Sequence, residues 1–348
     1  VIAVLGVMMA KPMLKLLGTD AKVMHLSLPY VQWMLAGSPL LFVYIIYTSI
    51  LRGVGDSVTP LIALSLTSLI GLAVTPVLLK GYFGFPALGI VAPAIATILG
   101  YAAVLIFLGF YLNYKNHPLK IDARLLQSIR HDATLSKLIL KLGIPTGIQM
   151  VTTSLAGLVI IGLVNHYGAH ATAAYGAVNQ VLNYIQFPAL SISIAASIFA
   201  AQAIGAGKPD LLAKVTRTAL GMNVIFTGSL ITLAYLFSKY LMALFITDHS
   251  VIELGQQLLF IVLWAVLFFG ASAIFASIMR ASGTVNVPMM INILTIILIE
   301  VPCAYWFSSL WGLTGIWTAY ALSFVCLCVL QASYYQFVWK KTKIKVLI

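Results

Sequence analysis

Only one acidic residue lies well inside an apolar stretch of this chain: Glu300, in ILIEVPCAYW. Placing a charged side chain at mid-membrane depth costs ~2.5–3.5 kcal/mol even on lenient insertion scales, so such a residue points to function. Taking up a proton removes the cost, and a proton or cation carrier exploits that change. Pro302, two residues on, deprives the same turn of a backbone donor. A second polar group is the amide series Asn179, Asn183 and Gln186, with Gln180 beside it. Spacings of four and three place the three amides on one face of a helix. Amides facing lipid would lack partners, so the stripe is expected to point into a helix bundle or to line a wet solute pathway. Gln149, on the preceding apolar segment, can join it. Tyr44, in a cluster with Tyr30, Gln32 and Tyr47, offers an aromatic face to an organic cation, an interaction worth roughly 0.5–2 kcal/mol. The six histidines are scattered. His166 and His170 are four apart, but Gly168 between them reads as a turn rather than a zinc-binding helix. Cys303, Cys326 and Cys328 all fall in apolar segments and read as packing residues. No acid, histidine or thiol constellation of a hydrolase or transferase is visible, so neither enzyme activity, metal nor cofactor is expected.

The elements that carry these residues are transmembrane helices. Of 348 residues, 61% are hydrophobic and 8% charged, against about 25% charged in soluble domains. Ten apolar segments can be placed, at residues 1–17, 25–51, 60–79, 88–112, 138–164, 171–204, 216–237, 251–278, 288–307 and 313–338. Most are long enough to cross a hydrocarbon layer of ~30 Å. The alternating pattern of an outer-membrane barrel is absent. The fold class is therefore all-α and polytopic. A charged connection with Lys115, Lys120, Arg124 and Arg130 divides the chain into a four-helix amino-terminal lobe (1–115), a linker (116–134) and a six-helix carboxy-terminal lobe with a basic tail (135–348).

Lys and Arg fall unequally on the two sides, fifteen against five, with Arg52, the linker, Arg280 and the tail on the richer one. By the positive-inside rule that side is cytoplasmic, in a plasma (inner) membrane. Topology and anionic headgroups thus account for the formal charge of +12, and no nucleic-acid partner is expected.

The chain also repeats. LRGVGDSVTP at 51–60 recurs as MRASGTVNVP at 279–288, with Arg52 and Arg280 separated by 228 residues. At that shift Lys11, Thr19 and Asp20 meet Lys239, Thr247 and Asp248. Gly53 and Gly55 are expected to permit a tight turn. Pro60 opens the next helix where no amide donor is needed. Arg52 and Asp56 are candidates for gating contacts or for anchoring and capping. The period implies two further helices before Val1, hence six plus six, with both copies in the same orientation and a substrate path between the lobes.

Arg52, Gly53, Gly55, Asp56, Thr59 and Pro60, with Gly-Ile-Pro at 143–145, AAQAIGAGKPD at 200–210 and GLTGIWTAYALS at 312–323, resemble the multidrug and toxic-compound extrusion (MATE) family over nearly the whole chain. The resemblance implies a two-lobed, twelve-helix secondary antiporter, working as a monomer, that expels amphipathic and often cationic compounds in exchange for Na⁺ or H⁺. The chain departs from the family at two carboxylate positions. Thr153 stands where one branch has a glutamate, and Thr75, before Pro76, stands where another has an aspartate. Both threonines remain candidates for neutral oxygen ligands to the coupling ion. The alternatives are a lipid-linked oligosaccharide flippase of the same superfamily, a non-functional fragment, and a membrane enzyme or receptor. A flippase would need basic residues in mid-membrane for pyrophosphate, and no Lys or Arg occupies the middle of the second-lobe segments.

Overall fold

The computed structural model describes residues 2–16, 21–120 and 132–342. Thr19 and Asp20 of the repeat, and Arg124 and Arg130 of the linker, lie outside the described residues. The chain forms two compact units, Val1–His131 and Asp132–Ile348. In the first unit α1 (Ile2–Leu16), α2 (Ala21–Gly53), α3 (Val58–Lys80) and α4 (Ala92–Tyr114) follow in order, with short 3₁₀ turns at Tyr82–Gly84 and Gly89–Val91. α2 packs on α1 and α4, and α4 packs on α3. Val104, Leu108 and Leu112 make one buried stripe on α4 and meet Tyr44 and Leu51 of α2 and Ala63 of α3. The four-residue spacing produces that stripe.

The second unit contains α5 (Ala133–Asn165), α6 (Ala169–Gly205), α7 (Leu211–Leu236), α8 (Ser238–Ala243), α9 (His249–Val262), α10 (Val266–Ala281), α11 (Asn286–Thr295), α12 (Val301–Trp311) and α13 (Leu313–Phe337). α10 is its centre, packed against α6, α7 and α13. Two of the apolar segments are not uniform α-helix. A 3₁₀ turn, Leu263–Ala265, joins α9 to α10, and a π-turn, Ile296–Glu300, joins α11 to α12. Among the described residues nine helical spans are long and apolar enough to cross a membrane. α1, the remaining apolar segment, is described over 15 residues, fewer than the roughly 17–25 a full crossing takes. The protein is an integral membrane protein. The span from Asn286 runs through the π-turn to Trp311, beyond the residue 307 expected, so Glu300 sits nearer mid-span than the sequence implied.

The duplicated loop recurs in detail. α2 ends at Gly53 and α3 starts at Val58, while α10 ends at Ala281 and α11 starts at Asn286. Each boundary recurs after the same 228 residues. The Gly55 amide donates to Arg52 O (3.0 Å) and the Asp56 amide to Leu51 O (3.0 Å). Their counterparts repeat the pair, from Gly283 to Arg280 O (2.9 Å) and from Thr284 to Met279 O (3.1 Å). Gly55 and Gly283 occupy the left-handed region, at φ 93° and 85°, where a Cβ would be strained. Gly53, expected to share in the turn, is instead the last residue of α2. Pro60 and Pro288 are both the third helical residue and both buried, in the first turn where amides have no helical acceptor.

The copies differ at the position after the glycine. Asp56 Oδ1 accepts the amides of Val58 (3.1 Å) and Thr59 (3.0 Å), capping α3, and Oδ2 lies 3.6 Å from His117 Nε2. Partial burial alone would raise the Asp56 carboxyl. The Thr59 hydroxyl, the two amides and His117 outweigh it and hold the group below its ordinary value. A carboxyl with a depressed folded value contributes stability that is complete above the unfolded value of about 3.9 and is lost as pH falls through the folded one.

These corners set expectations for stability. The melting temperature of the parent protein in detergent should drop as pH falls from about 5 towards 3. Asp56→Asn keeps the caps and should flatten that dependence, whereas Asp56→Ala should cost about 1 kcal/mol at neutral pH. At the α12–α13 corner a Cβ on Gly315 would run into the Phe307 carbonyl, while one on Gly255 meets only the end of the Met242 side chain. Gly315→Ala should therefore lower stability by about 1–3 kcal/mol, with Gly255→Ala much milder, as read by thermal melts of both variants.

Candidate functional site

Glu300 closes the π-turn, and the Val301 amide donates five residues back to Ile296 O instead of four. Pro302, in the first turn of α12, has no amide to return the ladder to register. Such π-turns widen a helix and recur at functional sites. The turn packs on α13, and Ser323 of α13 brings its Oγ to 3.4 Å from Glu300 Oε2. The same hydroxyl lies 2.9 Å from Tyr320 O. A serine has one hydrogen, and the shorter contact claims it. Glu300 Oε2 then faces a hydroxyl lone pair, an arrangement suited to a carboxyl O–H donating to Ser323 Oγ or to a cation between the two oxygens.

Around this pair stands an aromatic wall from α6 and α13. The Tyr320 and Tyr175 hydroxyls are 3.1 Å apart. Trp317 lies against both rings, at centroid distances of 5.4 Å from Tyr175 and 5.5 Å from Tyr320. It is completely buried. Trp317 and Tyr320 are one turn apart on α13, and Ser323 is the next turn along, so one helix face delivers all three. The centre of the unit is pinned separately by Asn223. Its Nδ2 donates to Leu267 O (3.1 Å) and its Oδ1 accepts from Thr227 Oγ1 (3.0 Å). A Cβ at Gly270 would clash with that amide, so the glycine lets α7 and α10 close on each other.

The other residues singled out from sequence fall elsewhere. Thr153 is exposed on α5, its hydroxyl donating to Gln149 O at 3.0 Å. Gln149 is half-buried. Asn179 and Gln186 are half-buried and Asn183 exposed. The face of α6 that enters the unit's core carries Ala174, Val178, Val181 and Ile185 instead, so the amides turn away from that core. Thr75 is half-buried on α3. Tyr44 is buried against Tyr101, with ring centroids 5.2 Å apart. Tyr44, Arg52 and Pro60 line one shallow groove of about 320 Å³, and Arg52 donates to Ser49 Oγ at 2.9 Å. Arg280 occupies the last turn of α10, above the Gly283 corner. Sequence reasoning thus named Glu300 but none of its neighbours. The signal available for them was the i, i+3 series Trp317, Tyr320, Ser323 in the last span.

Comparison with known proteins agrees with this architecture. The MatE family model matches residues 1–77 and 145–306. The probable multidrug resistance protein YoeA of Bacillus subtilis is 43% identical over all of this chain and 76% of its own length. The FAD transporter of Shewanella oneidensis is 27% identical over 90% of this chain and 69% of its own. Among solved structures, an outward-facing multidrug resistance MATE transporter of the MOP superfamily superposes with a TM-score of 0.89, covering 98% of this chain and 76% of that one at 18% identity. A point mutant of the Vibrio cholerae MATE transporter VcmN gives 0.88, covering 99% and 76% at 19% identity. The family match over most of the chain, together with a fold shared from end to end, places this protein in the MatE family of multidrug and toxic-compound extrusion transporters.

Proposed function

We propose that the protein is a secondary antiporter that exports amphipathic, often cationic compounds in exchange for Na⁺ or H⁺, by alternating access of its two lobes in the plasma membrane. The observation that carries this reading is Glu300, a carboxyl near the middle of a membrane span whose contact with the Ser323 hydroxyl is long, 3.4 Å, while that hydroxyl lies closer, 2.9 Å, to Tyr320 O. An ionised carboxylate is poorly compensated there, and a proton or a cation relieves it. Loading and unloading Glu300 is thus a two-state event inside the second unit that a transport cycle can use. The substrate class is supported by relatives named for multidrug resistance or export, including YoeA and the multidrug export protein MepA of Staphylococcus aureus, 22% identical over 89% of this chain. On this reading the basic side of the chain, with the linker and the carboxyl tail, faces the cytoplasm. Thr75 and Thr153 are secondary candidates for ion contact, and Asn179, Asn183, Gln186, Gln149 and Tyr44 for the substrate path. Arg52, Asp56 and Arg280 belong to the corners on which the helices would move.

The test is efflux of a fluorescent organic cation from cells or proteoliposomes under an imposed Na⁺ or H⁺ gradient. Glu300→Gln should reduce gradient-driven efflux by about tenfold or more, a loss of ~1.4 kcal/mol in driving step or barrier. Ser323→Ala, which removes a long contact, should have the smaller effect. A well-expressed Glu300→Gln protein with undiminished transport takes this residue out of the mechanism.

A further inference from the structure

The turn between α6 and α7 stands at the basic end of the second unit. Ala200 of α6, Leu212 of α7, Met279 of the Gly283 corner and Trp339 of the carboxy-terminal turn share one buried cluster there. From that end the two helices pack side by side and leave a groove of about 500 Å³ between them. Its floor is made by small side chains, Ala196 and Ala219, both buried, and its rims by the exposed Phe199, Leu211 and Met222. The lining positions recur every three or four residues, so one face of each helix supplies them and the groove follows the helix axes. From Leu211 to Met222 it runs about 16 Å at the usual rise.

Among the described residues that line this groove a single one is charged, Lys214, one turn into α7 and exposed. It has no ion-pair or hydrogen-bond partner among the described residues. Asp210, one turn earlier, lines a different hollow, with Tyr335 and Trp339. Arg217, nearly one turn further along α7, is also exposed. The opposite end of the same helix pair offers a contrast. There Tyr184, Leu233 and Phe245 help to line a second hollow of about 360 Å³, and none of its described lining residues is charged.

A trough without polar partners suits an alkyl chain, and a free cation at its mouth suits an anion. A hydrogen-bonding solute would find little, since the lining hydroxyls are those of Ser191 and Thr218, and Ser191 already donates to Phe187 O. A cationic amphiphile would be repelled by Lys214. Lipid tails are already in hydrocarbon, so the trough supplies shape and the lysine supplies selection. We propose that the α6–α7 groove binds one acidic phospholipid of the membrane, with an acyl chain between Phe199 and Met222 and the phosphate on Lys214. Arg217 adds to the local positive potential. The site lies wholly within the second unit and depends neither on Glu300 nor on transport.

The whole protein is reconstituted in phosphatidylcholine vesicles doped with a lipid that carries a photoactivatable diazirine on its acyl chain, either phosphatidylglycerol or phosphatidylcholine. Cross-linked peptides are then mapped by mass spectrometry. The phosphatidylglycerol probe is expected to label residues 191–199 and 211–222 and to be displaced by excess unlabelled phosphatidylglycerol. The phosphatidylcholine probe should label them about fivefold less, the scale of one basic residue at a lipid surface, while both probes label the uncharged hollow alike. Lys214→Gln should abolish the fivefold preference and Lys214→Arg should keep it. Ala195→Phe, at an exposed position of the lining, should lower groove labelling by both probes and leave the other hollow as in the parent. Equal labelling of the parent groove by the two probes overturns the selection for an acidic headgroup. Absence of labelling there overturns the site itself, and neither of these results depends on a variant. A preference undiminished in Lys214→Gln overturns the assignment to that lysine. Displacement by free oleate but not by phosphatidylglycerol overturns a phospholipid as the occupant.

Discussion

Hydrocarbon offers a polar group no partner, and every other feature of this structure depends on that. Backbone amides must be paired within the chain, which restricts the spans to helices. Side-chain hydroxyls obey the same demand by turning back on their own helices: Thr67 donates to Ala63 O, Thr97 to Pro93 O and Thr232 to Gly228 O. Corners have the same problem in sharper form, because a helix end leaves four carbonyls or four amides unpaired. Among the described residues the chain meets it at Gly55, Gly207 and Gly283 with one device, a left-handed glycine whose own amide and the next close the turn. Against so consistent a background a carboxyl at mid-span is the exception that carries information.

How much of this was readable from residue order varies with the range of the interaction concerned. The corner at Gly55 and its copy at Gly283 were legible because their determinants are local: an arginine, a glycine that must adopt positive φ, and a proline three residues into the next helix. Glu300 was legible because one acidic residue in an apolar run needs no neighbour to be conspicuous. Its surroundings were not. Ser323, Tyr320, Tyr175 and Trp317 come from two other helices, and a serine or tyrosine in an apolar segment resembles any packing residue until the helices are laid together. The amide series on α6 shows the complementary case. Its spacing correctly placed three amides on one face, but periodicity does not say which face meets the core, and here Ala174, Val178 and Val181 do.

The π-turn belongs to neither class. A proline two residues after Glu300 announces some disturbance of the ladder, yet Pro76 of α3 stands inside an uninterrupted helix. What separates the two spans is length and environment. α3 runs 23 residues as one α-helix, whereas the corresponding span of the second unit takes 26 and accommodates the five-residue turn. The duplication therefore kept the corners and let the middles diverge. The corner is an architectural necessity in both units. The carboxyl and the widened turn that presents it occur in the second copy; with Pro76 aligned to Pro302, the residue opposite Glu300 in the first is Val74.

If Glu300 is the coupling group, as proposed, the hydrogen count around it bears on the choice between Na⁺ and H⁺. A sodium ion is satisfied by several oxygens converging on it, and each ligand missing from the set must be replaced by water carried into the span. A proton needs one acceptor. Among the described residues the side-chain hydrogen bond given to Glu300 is that of Ser323 Oγ, at 3.4 Å, and the same hydroxyl lies 2.9 Å from Tyr320 O. The nearby tyrosine hydroxyls of residues 175 and 320 are engaged with each other. A carboxyl O–H can donate to the free lone pair of Ser323 with no rearrangement, whereas sodium would have to bring most of its shell with it. On the proposed reading of Glu300 as the coupling group, this geometry suits a proton at the carboxyl.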